Sequence, residues 1–397
     1  MKIGILTWHS QLNYGGVLQC WALQTVLERM GHEVVIIDRW LDKRNESLLG
    51  EYSRWGGRQW IRYLFRGILG CGDLGLHTRH INTKRFIYNC LHRTGYHFLE
   101  WQNAPKDLGI DLLVVGSDQL WHCNPWTRHD IYLLENAPKI PAIAYAASFG
   151  RPDIPPEFME QCRCGFARFS AISVRERQAV SLVESCGGTA THVADPTILV
   201  SPADVFTKFG KPVCSAKKTI LCYFLSQSVF EVLPELRKFA QKKRCFIRVY
   251  VDVLSNKSLL PTPHGFRQIV KRFVSTLVRC LDRVKIVRDA GPQEFVEGLA
   301  KAEAVITDSF HGLMFSAIYG KNVRMLRPRN EFRKLIFGRI EEFVEKFTVG
   351  ACISDSVSSA LDSVENETPT RFDSQAINSF RSESRSWLSD AIEKIHV

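Results

Sequence analysis

His311 lies in the run AVITDSFHGLMFSAIYG, Ala304–Gly320. An imidazole is the side chain that most readily exchanges protons near neutral pH. Ala304–Ile306 reads as an apolar strand, Thr307–Gly312 as a polar turn and Leu313–Tyr319 as a helix, with Gly320 where a left-handed cap belongs. His311 is thereby predicted at the carboxyl end of a strand and the amino end of a helix. Open α/β sheets hold ligands at such points, and free helix N–H groups attract anions there. A histidine that only satisfies the turn would fit the same local pattern. Asp308 could orient the imidazole, as could Glu176; Asp308 could equally cap the helix.

The elements that must position this residue recur along the chain. Lys2–Thr7 reads as a buried strand, followed by a polar loop, Trp8–Gly16, and a helix, Val17–Met30, with apolar residues at helical spacing. Glu33–Asp38 is the next strand. This β-loop-α-β start resembles a Rossmann-type half. Its loop, Asn13-Tyr14-Gly15-Gly16, lacks the dinucleotide fingerprint, which argues against a nicotinamide or flavin site. Ile110–Val115 is continuously apolar, like a parallel strand buried on both faces, and it ends in a second polar loop, Gly116–Trp121. Ile143–Ala147 leads to Ser148-Phe149-Gly150, and Ala171–Val174 to Arg175-Glu176-Arg177. Arg175 offers a planar, permanently charged fork suited to phosphate or carboxylate. Val193–Ala194 runs into Asp195-Pro196-Thr197, where proline stops regular structure and a hinge fits.

A second α/β unit begins near Lys218. Its strands are predicted at Thr219–Leu225, Arg244–Val251, Ala304–Ile306 and Asn322–Met325, and its helices at Glu231–Lys242 and Pro292–Lys301. A polar stretch, Ser354–Arg371, precedes a last helix at Asp373–Ile395. The expected class is α/β, with two Rossmann-like domains facing a cleft: residues 1–198, carrying a basic helical insertion at 41–109, and residues 199–397, ending in a helix at 373–395.

Composition narrows the function classes. The chain enters its first strand directly after Met1, and its longest apolar runs fall far short of the ~20 residues a membrane span needs. A cytoplasmic protein without signal peptide is the expectation. The cysteines form no Cys-x-x-Cys pair and no His-flanked cluster, so neither zinc nor a disulfide framework is indicated. The net charge of +11 has a location. Arg54, Arg58, Arg62 and Arg66 recur every fourth residue among Trp55, Trp60 and other apolar residues, and His77, Arg79, His80, Lys84 and Arg85 follow. A second basic stretch covers Arg267–Arg288. The first segment reads as a solvated face or as a helix touching an anionic membrane surface, with Gly56 and Gly57 weakening the helix. No nucleic-acid module accompanies these charges, and nucleic acid is not an expected partner.

Six ordered blocks carry a resemblance over nearly the whole chain: KIGILTWHSQLNYGGVLQCWALQ, VVGSDQLW, YAASFG, ISVRERQAV, VADPTILV and VITDSFHGLMFSAIYGKNV. With them the chain resembles the polysaccharide pyruvyl transferase family. The resemblance implies a glycosyltransferase-B-like pair of domains and no redox cofactor or metal. It also implies transfer of pyruvate from phosphoenolpyruvate, as co-substrate, onto two hydroxyls of a sugar or lipid-linked oligosaccharide in capsule or exopolysaccharide synthesis, forming a ketal. His311 matches the family's general acid/base, and Arg175 its anion-binding arginine. On the donor side Ser309, Phe310, Gly312 and Lys321 accompany them. Asn13, Tyr14, Gly15, Ser117, Asp118, Gln119 and Trp121 are expected on the acceptor side, with Trp121 stacking on a sugar face. Some members carry Arg-Leu before the His-Gly, where this chain has Ser309-Phe310. Lys321, Arg324, Arg327 and Arg329 are the candidates to replace that missing cation. A nucleotide-sugar glycosyltransferase of the same architecture is the first alternative function, and a non-enzymatic polyanion- or membrane-binding protein the second.

Overall fold

The computed structural model describes residues 1–10, 12–39, 74–123, 129–213, 218–251, 282–329, 331–350 and 352–395. The Arg54/Arg58/Arg62/Arg66 stripe with Trp55 and Trp60, and residues 267–281 of the second basic stretch, lie outside these.

Two parallel sheets organise the chain. The first holds β1 (Lys2–Leu6), β2 (Glu33–Arg39), β3 (Arg93–Phe98), β4 (Leu112–Val115), β5 (Ala142–Ala147), β6 (Ala171–Val174) and β7 (Thr191–His192), in the order β3-β2-β1-β4-β5-β6-β7. The second holds β8 (Thr219–Phe224), β9 (Phe246–Val251), β10 (Val284–Val287), β11 (Ala304–Thr307) and β12 (Asn322–Leu326). A short antiparallel ribbon joins β13 (Thr348–Val349) to β15 (Arg371–Phe372), and β14 (Ile353–Ser354) completes the second sheet in the order β10-β9-β8-β11-β12-β14. β4 and β11 are buried throughout, as strands covered on both faces must be. Strand order reverses between β1 and β4 in one sheet and between β8 and β11 in the other. Crevices for ligands open at such switch points, at the carboxyl ends of the strands.

Helices α1 (Tyr14–Arg29), α2 (Leu74–Cys90), α3 (Pro292–Lys301), α4 (Phe310–Ile318), α5 (Gly338–Phe347) and α6 (Ser374–Glu393) matter most for the site. α1 starts three residues before the expected Val17, because the Asn13 side chain caps it by accepting from Gly15 N at 2.9 Å. The helix is buried on nearly every side, since it lies between the two sheets and packs on α3. Tyr14 stacks on Phe295 of α3 at 4.5 Å between centroids, and one apolar cluster runs through both halves.

Two expectations about the basic insertion change. β3 falls inside the segment read as helical; its polar sequence, RTGYHF, suits an edge strand and hides it from an apolar pattern. Arg79 of α2 is fully buried rather than on a solvated face. It donates to the Leu12 and Val251 carbonyls and covers the Tyr14 ring at 4.1 Å, so it ties the two halves together. The C-terminal helix α6 crosses back to the first half, where Arg381 Nε donates to Ile198 O at 2.7 Å and Ser384 Oγ accepts from Ala194 N at 2.9 Å. No described helix is long and apolar enough to cross a membrane.

Candidate active site

His311 is the second residue of α4, one turn earlier in the helix than its sequence suggests, because Ser309 caps the helix by accepting from Gly312 N at 3.3 Å. Its ring is pressed between the two halves of the protein. On the Nδ1 side it meets Gly15 so closely that any Cβ there would overlap the ring. On the other side Nε2 lies 3.8 Å from Asp195 Oδ2, too far for a hydrogen bond, and it is buried without a hydrogen-bond partner among the described residues. Burial lowers the imidazole pKa below its ordinary 6.5; Asp195 and Asp118 oppose this, and Arg175 and Arg339 add to it. The ring is therefore neutral near pH 7, with the lone pair of a proton acceptor beside a carboxylate that would stabilise it once charged.

Asp195 is the residue that sequence reasoning missed, having taken Asp195-Pro196-Thr197 as a hinge. It follows β7 and caps the helix Pro196–Leu199, accepting from Thr197 N at 2.9 Å and Thr197 Oγ1 at 2.6 Å. Its other oxygen accepts from Arg175 Nη1 at 3.1 Å and Ser117 Oγ at 3.4 Å. Burial alone would raise its pKa, but His311, Arg175 and the Thr197 contacts more than offset that and hold the carboxyl below the usual range. The sequence signal was available, since Asp195 follows a strand as the other polar loops do.

Arg175 is wholly enclosed, and three carboxylates surround it. Nε donates to Glu176 Oε1 at 3.2 Å, and Nη1 also lies 3.9 Å from Asp118 Oδ1. Burial disfavours its charge, but Glu176, Asp195 and Asp118 outweigh that and raise its pKa above the ordinary value. Only Nη2 is left buried without a partner among the described residues. Behind this cluster, Gln19 of α1 ties the β1 and β4 loops together: its Nε2 donates to Thr7 Oγ1 at 2.8 Å and its Oε1 accepts from Ser117 N at 3.1 Å.

A pocket of about 400 Å³, its open mouth included, adjoins these residues and is lined by Arg175, Asp195, Phe310, Arg339, Glu342 and Lys346 among others. Two guanidinium groups approach the Phe310 ring, with Arg175 Cζ at 5.0 Å and Arg339 Cζ at 4.9 Å from its centroid, and both also approach Glu176 Oε1. Arg339, on α5, was not a sequence candidate. Its helix carries apolar residues at helical spacing (Ile340, Phe343, Val344, Phe347), but it lay in a stretch without a recognised block.

Several expected site residues have other work. Asp308 does not orient His311. Its oxygens accept from Leu225 N at 2.6 Å, Ser226 N at 2.7 Å and Ser226 Oγ, pinning the turn after β11 to the loop after β8. Glu176, the other candidate to orient the imidazole, accepts from Ser148 Oγ at 2.8 Å besides pairing with Arg175. Trp121 has no exposed surface; it packs among Phe149, Phe166 and Phe169 and donates to Tyr132 O at 3.1 Å, so it cannot stack on a sugar. Tyr14 bridges the halves, donating to Ala290 O at 2.9 Å. Ser117 is buried in the hydrogen-bond web.

Lys321 is buried and donates to Ala300 O at 2.8 Å, and Arg324 is buried among Ser363 O, Thr368 O and Thr370. Arg327 pairs with Glu341 and Asp355, and Arg329 is exposed. None of these four lines the pocket beside Phe310. Gly15 meets the His311 ring and Asp118 is 3.4 Å from where a Cβ on Gly16 would be, whereas the Gln119 side chain packs against Gly150 with Nε2 buried without a partner among the described residues.

Comparison with solved structures bears on the fold. A Listeria monocytogenes protein assigned as a UDP-N-acetylglucosamine 2-epimerase is 10% identical, with 99% of this chain and 95% of that one aligned at a TM-score of 0.50. The Rickettsia bellii UDP-N-acetylglucosamine 2-epimerase is 12% identical over 100% and 96% of the two chains, at a TM-score of 0.49. The fold is thus a glycosyltransferase-B-like pair of Rossmann-like domains. A search of curated proteins returned no match. The family model for polysaccharide pyruvyl transferase matches residues 13–330, a span that runs from the Asn13 cap through the His311 turn, and the chain belongs to that family.

Proposed function

We propose that this protein transfers a pyruvyl group from phosphoenolpyruvate to two hydroxyls of a sugar, in a polysaccharide or its lipid-linked precursor, with His311 as general acid/base. One observation carries the reading: a neutral, buried imidazole with an unpartnered nitrogen lies 3.8 Å from Asp195, which itself lines a pocket that also holds Arg175, Arg339 and Lys346. The imidazole takes the proton of the first sugar hydroxyl and relays it to C3 of the enol phosphate. The double-bond electron pair forms the new C3–H bond, C3 becomes the methyl group, and the hydroxyl oxygen bonds to C2 as C2 becomes electron-poor. The second hydroxyl displaces phosphate at C2, closing the ketal, and its proton leaves through the same nitrogen. Asp195 stabilises the imidazolium between these steps. General acid–base assistance of this kind is worth ~10²–10⁴-fold in rate. The donor's phosphate and carboxylate rest in the cationic pocket, and the acceptor lies on the side of Gly15, Asp118 and Gln119.

The test is incubation of the purified protein with phosphoenolpyruvate and a panel of free and lipid-linked sugars. Phosphate release and a ketal-bearing product are the readouts. His311→Ala and His311→Gln abolish transfer while far-ultraviolet circular dichroism stays that of the wild type. Near-normal turnover in either variant, or transfer of a glycosyl group from a nucleotide sugar without phosphoenolpyruvate, overturns the reading.

A further inference from the structure

Ser309, where some resembling sequences carry an arginine, uses its hydroxyl to cap α4. A donor with both a carboxylate and a phosphate nonetheless calls for more than one cation. Arg175 is poorly placed to be the main one. Its Nε and Nη1 are already held by Glu176 and Asp195, which leaves Nη2 alone for a ligand. Arg339 is in the opposite condition. It makes no hydrogen bond among the described residues, its Nε and Nη1 are buried, and its nearest carboxylate oxygen, Glu176 Oε1, is 3.8 Å from Nη1.

We infer that Arg339 of α5 supplies a second guanidinium of the donor site and makes the forked contact to a compact anion, carboxylate or phosphate, beside Arg175 and against the same Phe310 ring. The inference rests on the reading of this pocket as the donor site. Three further facts support it. Both guanidinium groups stand against the same aromatic ring, which presents their N–H edges without pairing them. Burial, followed by repulsion from Arg175, pushes the Arg339 pKa down to about 10, and a bound anion relieves both. The buried N–H groups of Arg339 and of Arg175 Nη2 are costly while unpaired, so the site is organised in advance for a ligand that pairs them. The helix carrying Arg339 also lines the pocket with Glu342, Phe343 and Lys346.

The experiment is calorimetric titration of phosphoenolpyruvate, and of UDP as a second probe, into wild type, Arg339→Gln and Arg339→Lys, with melting temperatures recorded for each. Wild type binds phosphoenolpyruvate. Arg339→Gln weakens it by about ten- to a hundredfold, the range of one charge-assisted hydrogen bond, and Arg339→Lys stays weakened because an ammonium cannot reproduce the fork. Should the glutamine variant not fold, the lysine variant carries the comparison. Wild-type affinity in a folded variant overturns the inference. If the wild type binds UDP and not phosphoenolpyruvate, the pyruvyl reading falls. Arg339 then stands if its variants lose UDP and falls if they keep it. Binding of neither probe to the wild type overturns both.

Discussion

Asp195 and Asp308 occupy matching places in the two halves of the protein, and they behave oppositely. Each follows a strand of a parallel sheet at the carboxyl edge, and each is buried. Asp195 is held ionised, because a guanidinium and an imidazole from other elements reach it. Asp308 is raised above the usual carboxylate range, because burial outweighs its bonds to Ser226 and Leu225 and the more distant charge of Arg333. Position at a strand end therefore supplies a buried carboxyl, and the neighbours arriving from elsewhere decide whether it acts as a charge or as a structural knot.

The sharpest way to break this comparison is to neutralise each carboxyl in turn. Asp195→Asn removes the counter-charge of His311 and leaves Arg175 short of a partner. Transfer falls by roughly 10²–10⁴-fold, and stability falls by up to about 3–5 kcal/mol, as when one member of a buried ion pair is removed. Asp308→Asn presents an amide to donors that need acceptors, so it costs about 1–3 kcal/mol of stability while turnover of the folded fraction stays within a few-fold of wild type. Chemical denaturation alongside single-turnover transfer separates the two. Equal losses of turnover in both variants would show that the carboxyls are not distinct.

Gly15→Ala sharpens the Asp195 side without touching either carboxylate. The new methyl collides with the His311 ring, and a displacement of about 1 Å at a reacting group costs ~10²-fold in rate. Overpacking against a buried ring also costs about 1–3 kcal/mol of stability, so the rate is read on the folded fraction. Unchanged kinetics would place the working ring elsewhere.

The pH dependence gives a smaller, signed effect. Because burial lowers the folded pKa of His311 below its ordinary 6.5, the base is lost only at lower pH than for a free imidazole, and the midpoint of the acid limb of kcat/KM lies below pH 6.5. The same sign applies to stability: the neutral buried ring contributes fully above its unfolded pKa and is lost as pH falls toward the folded one. Asp195 raises the His311 pKa, so in Asp195→Asn the acid limb of the residual activity moves lower still. A limb above 6.5, or one that moves upward, contradicts the assignment. Smallest for function is Trp121→Phe, which loses ~1–3 kcal/mol from the core and leaves the acceptor KM unchanged. A selective rise in that KM would return Trp121 to the acceptor site.

The strands and helices around the site were legible because their signals are local. β6 and α3 fall where apolar runs and a first-turn proline predict, and β11 differs from its predicted span by one residue. The exceptions are local as well. α4 begins earlier than its apolar run, since the Ser309 hydroxyl starts the helix and hydropathy does not register a cap. β3 lacks an apolar run because it lies at a sheet edge.

The sequence by itself determined the order of the two α/β halves, the family blocks and the placement of His311 at a strand-to-helix turn. Each depends on residues within a few positions of one another, joined by backbone geometry and hydrophobic period. Only the tertiary structure decided which carboxylate faces the imidazole, which guanidinium is free to meet a ligand, and which aromatic residues are core. His311 and Asp195 are far apart in the chain, as are Arg175 and Arg339, and their charges act through a few ångströms of space. The sign of a buried group's pKa shift, and whether its hydrogen bonds are already made, are set by those through-space neighbours.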